Sequence, residues 1–188
     1  MKKIFLDIGA YNGVSAEFFL ANHPQAKEFL IYSFECDSRN IEILKNKQLP
    51  INLIEKAAWV TDGFVRYYYG MSDGGTLYST KRTGNINVDV YSEVPAIDIA
   101  KFIMDNFTKD DYIIIKMNCE GAEYDIIPHL QKHGLISWID RWYIQWHWYE
   151  IGLDAEEHNK VCYMLPRWYE WDCQFHANEF KDKFKRSL

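Results

Sequence analysis

Residues 3–13 read KIFLDIGAYNG, and this stretch decides the fold. Ile4, Phe5, Leu6 and Ile8 make a short apolar run around Asp7, and a turn bounded by Gly9 and Gly13 follows at once. An apolar run of that length stopped by glycine predicts a strand buried on both faces, as in a parallel sheet. Glycine lacks a Cβ, so the backbone can turn tightly there and lie close to a ligand. A helix over residues 14–21 would point its N-terminus at whatever the turn holds. Strand, glycine turn and helix open a nucleotide-type site at the carboxyl end of a sheet. The glycines do not follow G-x-G-x-x-G, which counts against NAD and leaves other nucleoside cofactors open. A plain tight turn in an α/β protein is the competing reading.

Outward from this stretch the pattern repeats. Residues 29–34 form a second strand ending at Glu35, and Asp37, Ser38 or Asn40 can cap a helix over 39–47 with Ile41 and Leu44, and Ile43 as a third candidate, inward. Pro50 ends that unit, and residues 51–60 (INLIEKAAWV) read as a third strand. Strand and helix alternating in this way imply right-handed crossovers and a parallel sheet. Residues 64–93 change character: two strands, the second over 86–90, joined by a Gly/Ser/Thr-rich loop from Gly70 to Asn85. Loops of that length tend to be lids or binding loops, or else disordered. Ile97, Ala100, Ile103 and Phe107 then share a helical face.

Residues 112–117 (YIIIKM) give the fourth parallel strand, ending in Asn118-Cys119-Glu120-Gly121. A helix follows from Ala122, and Pro128 predicts a kink or restart in it. Residues 138–149 (WIDRWYIQWHWY) read as a strand, with Trp142, Ile144, Trp146 and Trp148 on one face and Tyr143, Gln145, His147 and Tyr149 on the other. His147 sits at its carboxyl end, where it is either a catalytic group or a satisfied structural histidine. A helix over 154–165, a last strand over 168–176 and a charged tail over 177–188 complete the chain.

At 188 residues the chain is most simply one domain, residues 1–188, with 64–93 as a hairpin and active-site loop insertion. Hydrophobic and charged fractions of 48% and 26% fit an ordinary globular protein and exclude global disorder. A net charge of -6 offers no broad basic field for nucleic acid. Cys36, Cys119, Cys162 and Cys173 fit no zinc-ligand spacing, which leaves buried or free thiols in a reducing compartment. No apolar run is long enough to span a membrane, and Asp7 breaks any signal-like segment, so a cytoplasmic protein is expected.

Three signals stand together: DIGAYNG over Asp7–Gly13, Phe34-Glu35-Cys36 at the end of the second strand, and KMNCEGAE over Lys116–Glu123. Together they resemble class I S-adenosylmethionine-dependent methyltransferases, most closely the FkbM family, from about Ile4 to Tyr149. The opening motif is shared widely; the E-G-A-E block with its lysine is far more specific. Two departures stand out. Asn118 occupies a position where the family usually has Asp, and Gln145 precedes Trp146-His147 where an E-x-H pair would be expected.

The resemblance implies a Rossmann-like fold with a mostly parallel seven-stranded sheet, helices on both faces and an antiparallel last strand. It also implies S-adenosyl-L-methionine as cofactor. Gly9 with Ala10 and Gly13 would let backbone amides approach the amino-acid end. Asp7 would orient the turn or meet the ammonium through a water, and Tyr11 and Asn12 would close over it. Glu35, beside Cys36, would accept from the two ribose hydroxyls, Lys56 and Ala57 would edge the adenine, and Asn118 would lie near the methionine end. His147 is the candidate base, with Glu120 as its alternative, its orienting partner or a metal ligand. Related sugar O-methyltransferases often use Mg2+ held by carboxylates at the fourth strand end; Asn118 in place of Asp removes one hard oxygen ligand, so Mg2+ is the less favoured reading beside a metal-free site.

The implied reaction is O-methylation of a sugar, glycan or hydroxylated small molecule, and the late-chain aromatics Trp146, Trp148, Tyr149 and Tyr78 suit stacking on a sugar face. The two departures support an alternative, a non-catalytic Rossmann-like module that binds cofactor without turnover. A nucleotide-sugar enzyme is a third reading.

Overall fold

In the computed structural model, which describes residues 1–70 and 74–166, the opening stretch is a strand at the centre of a sheet. The elements run β1 (Lys3–Ile8), α1 (Val14–Asn22), β2 (Phe29–Phe34), α2 (Ser38–Lys47), β3 (Asn52–Ile54), β4 (Ala57–Trp59), β5 (Gly63–Tyr68) and β6 (Tyr91–Asp98). They continue with α3 (Ile99–Asn106), β7 (Tyr112–Met117), α4 (Glu123–Lys132), β8 (Arg141–Ile144), α5 (Trp148–Ile151) and α6 (Ala155–Cys162). A parallel five-stranded sheet has the order β3-β2-β1-β7-β8, so β1 lies in the middle with β2 and β7 beside it.

Successive side chains of a strand point to opposite faces, and β1 buries both. Ile4, Leu6 and Ile8 join one core with Ile99 and Ile103 of α3 and Ile126, Ile127 and Leu130 of α4. Phe5 joins the other with Ile31, Ile114, and Ala16 and Phe19 of α1; the Phe5 and Phe19 rings stack at 4.1 Å. Helices thus cover both faces, the Rossmann-like α/β arrangement, and the parallel strands bring their carboxyl ends to one edge.

The structure revises several boundaries. Residues 51–60 are two strands, not one. Exposed Glu55 and Lys56 sit in a tight turn, Lys56 N donating to Ile54 O at 2.8 Å, and β4 leaves for a second sheet of order β4-β6-β5. The strand expected at 86–90 is absent, because its alternating Val88 and Val90 remain 49% and 52% exposed with no face to pack against. The strand facing β5 is β6, which runs through Pro95 to Asp98 and pairs antiparallel with β5 and parallel with β4. Ile97 therefore belongs to a strand; Asp98 caps α3 by accepting from Ala100 N and Lys101 N.

Pro128 does not break α4, which is continuous from Glu123 to Lys132. A helical proline costs about 3 kcal/mol, whereas each fully buried aliphatic side chain contributes roughly 1.5–3 kcal/mol. Ile126, Ile127 and Leu130, all 0% exposed, outweigh it. The aromatic strand at 138–149 shrinks to Arg141–Ile144, and His147 precedes the short helix α5 instead of ending a strand. Glu123 draws the chain out of the sheet by accepting from His147 N at 2.7 Å. The last strand expected at 168–176, the tail at 177–188 and Cys173 lie outside the described residues.

Candidate functional site

The carboxyl edge of the sheet is held together by charge placed one residue below it. Asp7 and Lys116 are register partners on β1 and β7, 2.9 Å apart and 0% and 1% exposed. Lys116 Nζ also donates to Gly9 O at 2.6 Å, so a buried cation fixes the first turn. Burial pushes the Asp7 carboxyl up, and Lys116 only partly offsets it. Above this pair Gly9 has φ +74, and a Cβ there would lie 2.0 Å from Asn118 O. The backbones leaving β1 and β7 touch at a point where only glycine fits.

A cleft of ≈ 420 Å³ opens over this edge. On the β2 side Glu35, 7% exposed, accepts from Tyr11 N at 2.7 Å, Cys36 N at 3.0 Å and Asp37 N at 2.8 Å. One carboxylate thereby fastens the turn after β1 to the turn after β2. Burial raises its pKa, against the lowering effect of these bonds. Tyr67 of β5 also lines the cleft and donates to Asp37 Oδ2 at 3.3 Å. Burial and the neighbouring acidic groups push its hydroxyl far up, so it remains a neutral donor.

On the β7 side Glu120 lines the cleft with φ +55, the left-handed region. A strap of residues 74–82 crosses here. Thr76 pairs with Tyr68 through backbone bonds of 2.8 and 3.0 Å and donates its hydroxyl to Glu120 O at 2.6 Å. Thr80 Oγ1 donates to Ile151 O, and Arg82 N to Glu150 O. Lys81 Nζ donates to Gly74 O at 2.8 Å and pairs with Glu120 Oε2. The other Glu120 oxygen, Oε1, lies 3.5 Å from His147 Nε2.

Behind Glu120, Glu123 Oε1 accepts from His147 N and lies 2.9 Å from His147 Nδ1. Hydrogen bonding to a carboxylate assigns the Nδ1 proton and leaves Nε2 turned toward Glu120. Burial lowers the affinity of His147 for a proton, but Glu123, then Glu120 and Glu150, outweigh it and hold its pKa above the ordinary histidine value. Burial likewise works to raise Glu123, and His147 outweighs that and holds it below the usual carboxylate range.

Of the residues singled out in the sequence, Gly9, Tyr11, Glu35, Cys36, Lys56, Ala57, Asn118 and Glu120 line this cleft. Asp7 and Ala10 are 0% exposed beneath it. Asn12 spends its side-chain oxygen on Val14 N at the start of α1, a helix end that otherwise lacks a cap. Gly13 packs against α2, where a Cβ would meet Leu44 at 2.7 Å. His147 is 4% exposed and reaches the cleft through Glu120. Trp146 and Trp148 pack on His158, ring centroids 5.2 and 5.4 Å away, and the Tyr78 hydroxyl pairs with Asp125.

Sequence reasoning missed Glu123, Tyr67, Thr76 and Lys81. Glu123 was within reach, since the E-G-A-E spacing puts a second carboxylate one turn beyond Glu120. Thr76 and Lys81 sit in a segment without periodicity, and nothing local marks them. Among the described residues no group of three or more His, Cys, Asp or Glu could hold a metal ion, and no helix is long and apolar enough to cross a membrane.

A family model described as Methyltransferase FkbM domain matches residues 7–176 of the chain. No curated protein and no solved structure matches it.

Proposed function

Because the chain belongs to the FkbM methyltransferase family, we propose that it is an S-adenosylmethionine-dependent O-methyltransferase acting on a hydroxyl of a sugar, glycan or other small molecule. The observation that carries the cofactor reading is the pairing of two acceptors on one cleft. Glu35 closes β2, and Asn118 Oδ1 is buried without a hydrogen-bond partner. A buried acceptor left unpaired costs about 1–3 kcal/mol, and an ammonium group would relieve it. A carboxylate offers about four lone-pair sites; three backbone N–H groups already use Glu35. One site remains, so Glu35 suits a single ribose hydroxyl rather than both. This pair of acceptors thus fits the cofactor's ribose hydroxyl and ammonium. A seven-stranded sheet with an antiparallel last strand and action in the cytoplasm complete this reading.

When bound, S-adenosylmethionine supplies a methyl group on a positively charged sulfur, so a C–O bond forms as the C–S bond breaks and a neutral thioether leaves. The chain's own tasks are alignment and removal of the hydroxyl proton. Alignment can contribute up to roughly 7–11 kcal/mol, and a positioned base about 10²–10⁴-fold. Glu120, on the cleft wall, is the group that meets the acceptor hydroxyl. His147, behind it, takes the proton, and Glu123 holds the imidazole in the required tautomer.

Calorimetry with S-adenosylmethionine tests the cofactor reading. The wild type should give heat, and Glu35→Gln should bind roughly 10- to 100-fold more weakly, the loss of one hydrogen bond to a charged acceptor. No heat with the wild type would end the proposal. The pH profile tests the base. Only neutral imidazole accepts a proton, so the rate should climb with pH through a value above the ordinary histidine pKa. In Glu123→Gln the charge that favours the imidazolium is gone. The limb should therefore move to lower pH while the maximal rate falls, and initial rates across the pH range decide it.

A further inference from the structure

The cleft accounts for Glu120 and His147 but leaves Lys81 without a role. Its side chain is 2% exposed, yet it arises from the strap and not from the sheet. Its ammonium is bonded to Gly74 O and to one oxygen of Glu120, whose other oxygen faces His147 at 3.5 Å. A single carboxylate is thus shared between a lysine on one side and a histidine on the other. The strap makes that sharing firm, since Thr76 holds the Glu120 carbonyl at the same time.

We propose that Lys81 is a positioning residue for the transfer: by holding Glu120 from the strap, it keeps that carboxylate from pairing fully with His147 and so leaves the imidazole free to take up a proton. Glu123 from α4, Glu120 from the turn after β7 and Glu150 from α5 all face His147 and favour its charged form. With three carboxylates around it, an imidazole tends to be protonated and useless as a base. The Lys81 charge, applied through Glu120, is the opposing influence. The strap thereby sets the proton affinity of His147 through Glu120. This inference rests on the reading of Glu120 and His147 as the proton-accepting pair.

The test needs neither cofactor nor acceptor. Histidine side-chain NMR of the whole protein, with the His147 signals identified by their loss in His147→Gln, gives the titration of that ring directly. In Lys81→Met the His147 midpoint should rise by roughly one pH unit, as expected for removing a nearby cation from a coupled cluster. Lys81→Arg should restore the wild-type midpoint. Thr76→Val, which loses the strap's other hold on Glu120 but leaves its carboxylate alone, should not move it. An unchanged midpoint in Lys81→Met, or a shift of equal size in Thr76→Val, overturns the proposal. Cofactor calorimetry on Lys81→Met separates the two readings. Heat with an unmoved His147 sinks only the role of Lys81, whereas no heat even with the wild type sinks the cofactor assignment and leaves the titration to stand.

Discussion

Gly9→Ala is expected to lower the melting temperature by about 8–16 °C. Two costs act together. At φ +74 a side chain pays the left-handed penalty, about 1–2 kcal/mol. The new Cβ would also stand 2.0 Å from Asn118 O, and overpacking of this kind costs roughly 1–3 kcal/mol or more. The obstructing atom is backbone, so no rotamer change relieves the contact. Asn118 N is itself bonded to Ile8 O at 3.0 Å, so β7 can retreat only by breaking the edge of the sheet. A sum of roughly 4 kcal/mol, at about 2–4 °C per kcal/mol for a chain of this size, gives the stated shift. Gly134→Ala is the control. Gly134 has φ +70 with nothing within 4 Å of an added Cβ, so only the conformational term applies and the fall should be a few degrees. Thermal denaturation of both variants decides the matter; equal shifts would show that the contact with Asn118 is immaterial.

The contrast between these glycines also marks what a sequence can convey. β1 and β7 were legible because each is buried on both faces, and continuous apolar runs such as IFL and YIII have few other uses; β2 was legible from its apolar run although Leu30 remains exposed. The turn after β1 was legible because left-handed backbone demands glycine. What failed was everything decided by distant partners. The alternation at 86–90 carries a strand's period but found no face to bury. The run at 51–60 is apolar from Ala57 to Val60, yet the chain changes sheets at Glu55 and Lys56 because β6, some forty residues away, offers β4 a better edge. At the site the same division holds. Glu35 and Glu120 follow strand ends and could be placed by counting. Lys81 reaches Glu120 across 39 residues, and His147 leaves its strand because Glu123 captures its backbone. Side chains that arrive from a strap, or are pulled from a strand, have no local signature.

Lys116→Met is expected to cost about 3–5 kcal/mol at neutral pH, the usual penalty for leaving one member of a buried ion pair alone. Asp7, 0% exposed, would lose its cation, and the Gly9 carbonyl its donor. The pH dependence distinguishes this from simple loss of packing. Burial already raises the folded-state pKa of Asp7, with Lys116 opposing the rise. Without Lys116 the rise must be larger, so over the interval between the unfolded and folded pKa values the folded protein binds more protons than the unfolded chain. Stability then falls as pH climbs through that interval and returns as pH drops below it. The deficit of Lys116→Met should accordingly narrow from pH 8 toward pH 5, measured by urea denaturation. Adding Asp7→Leu should remove both the buried charge and the pH dependence, because an apolar pair in place of a buried ion pair is often neutral or better. A residual deficit of roughly 1.5–3 kcal/mol should remain, the worth of a hydrogen bond to a charged donor, since nothing in the double variant reaches Gly9 O. If the double variant were as unstable as Lys116→Met alone and equally pH-dependent, the charge on Asp7 could not be the cause. The pair would then be incidental to the turn, which would stand on Glu35 and the backbone contacts alone.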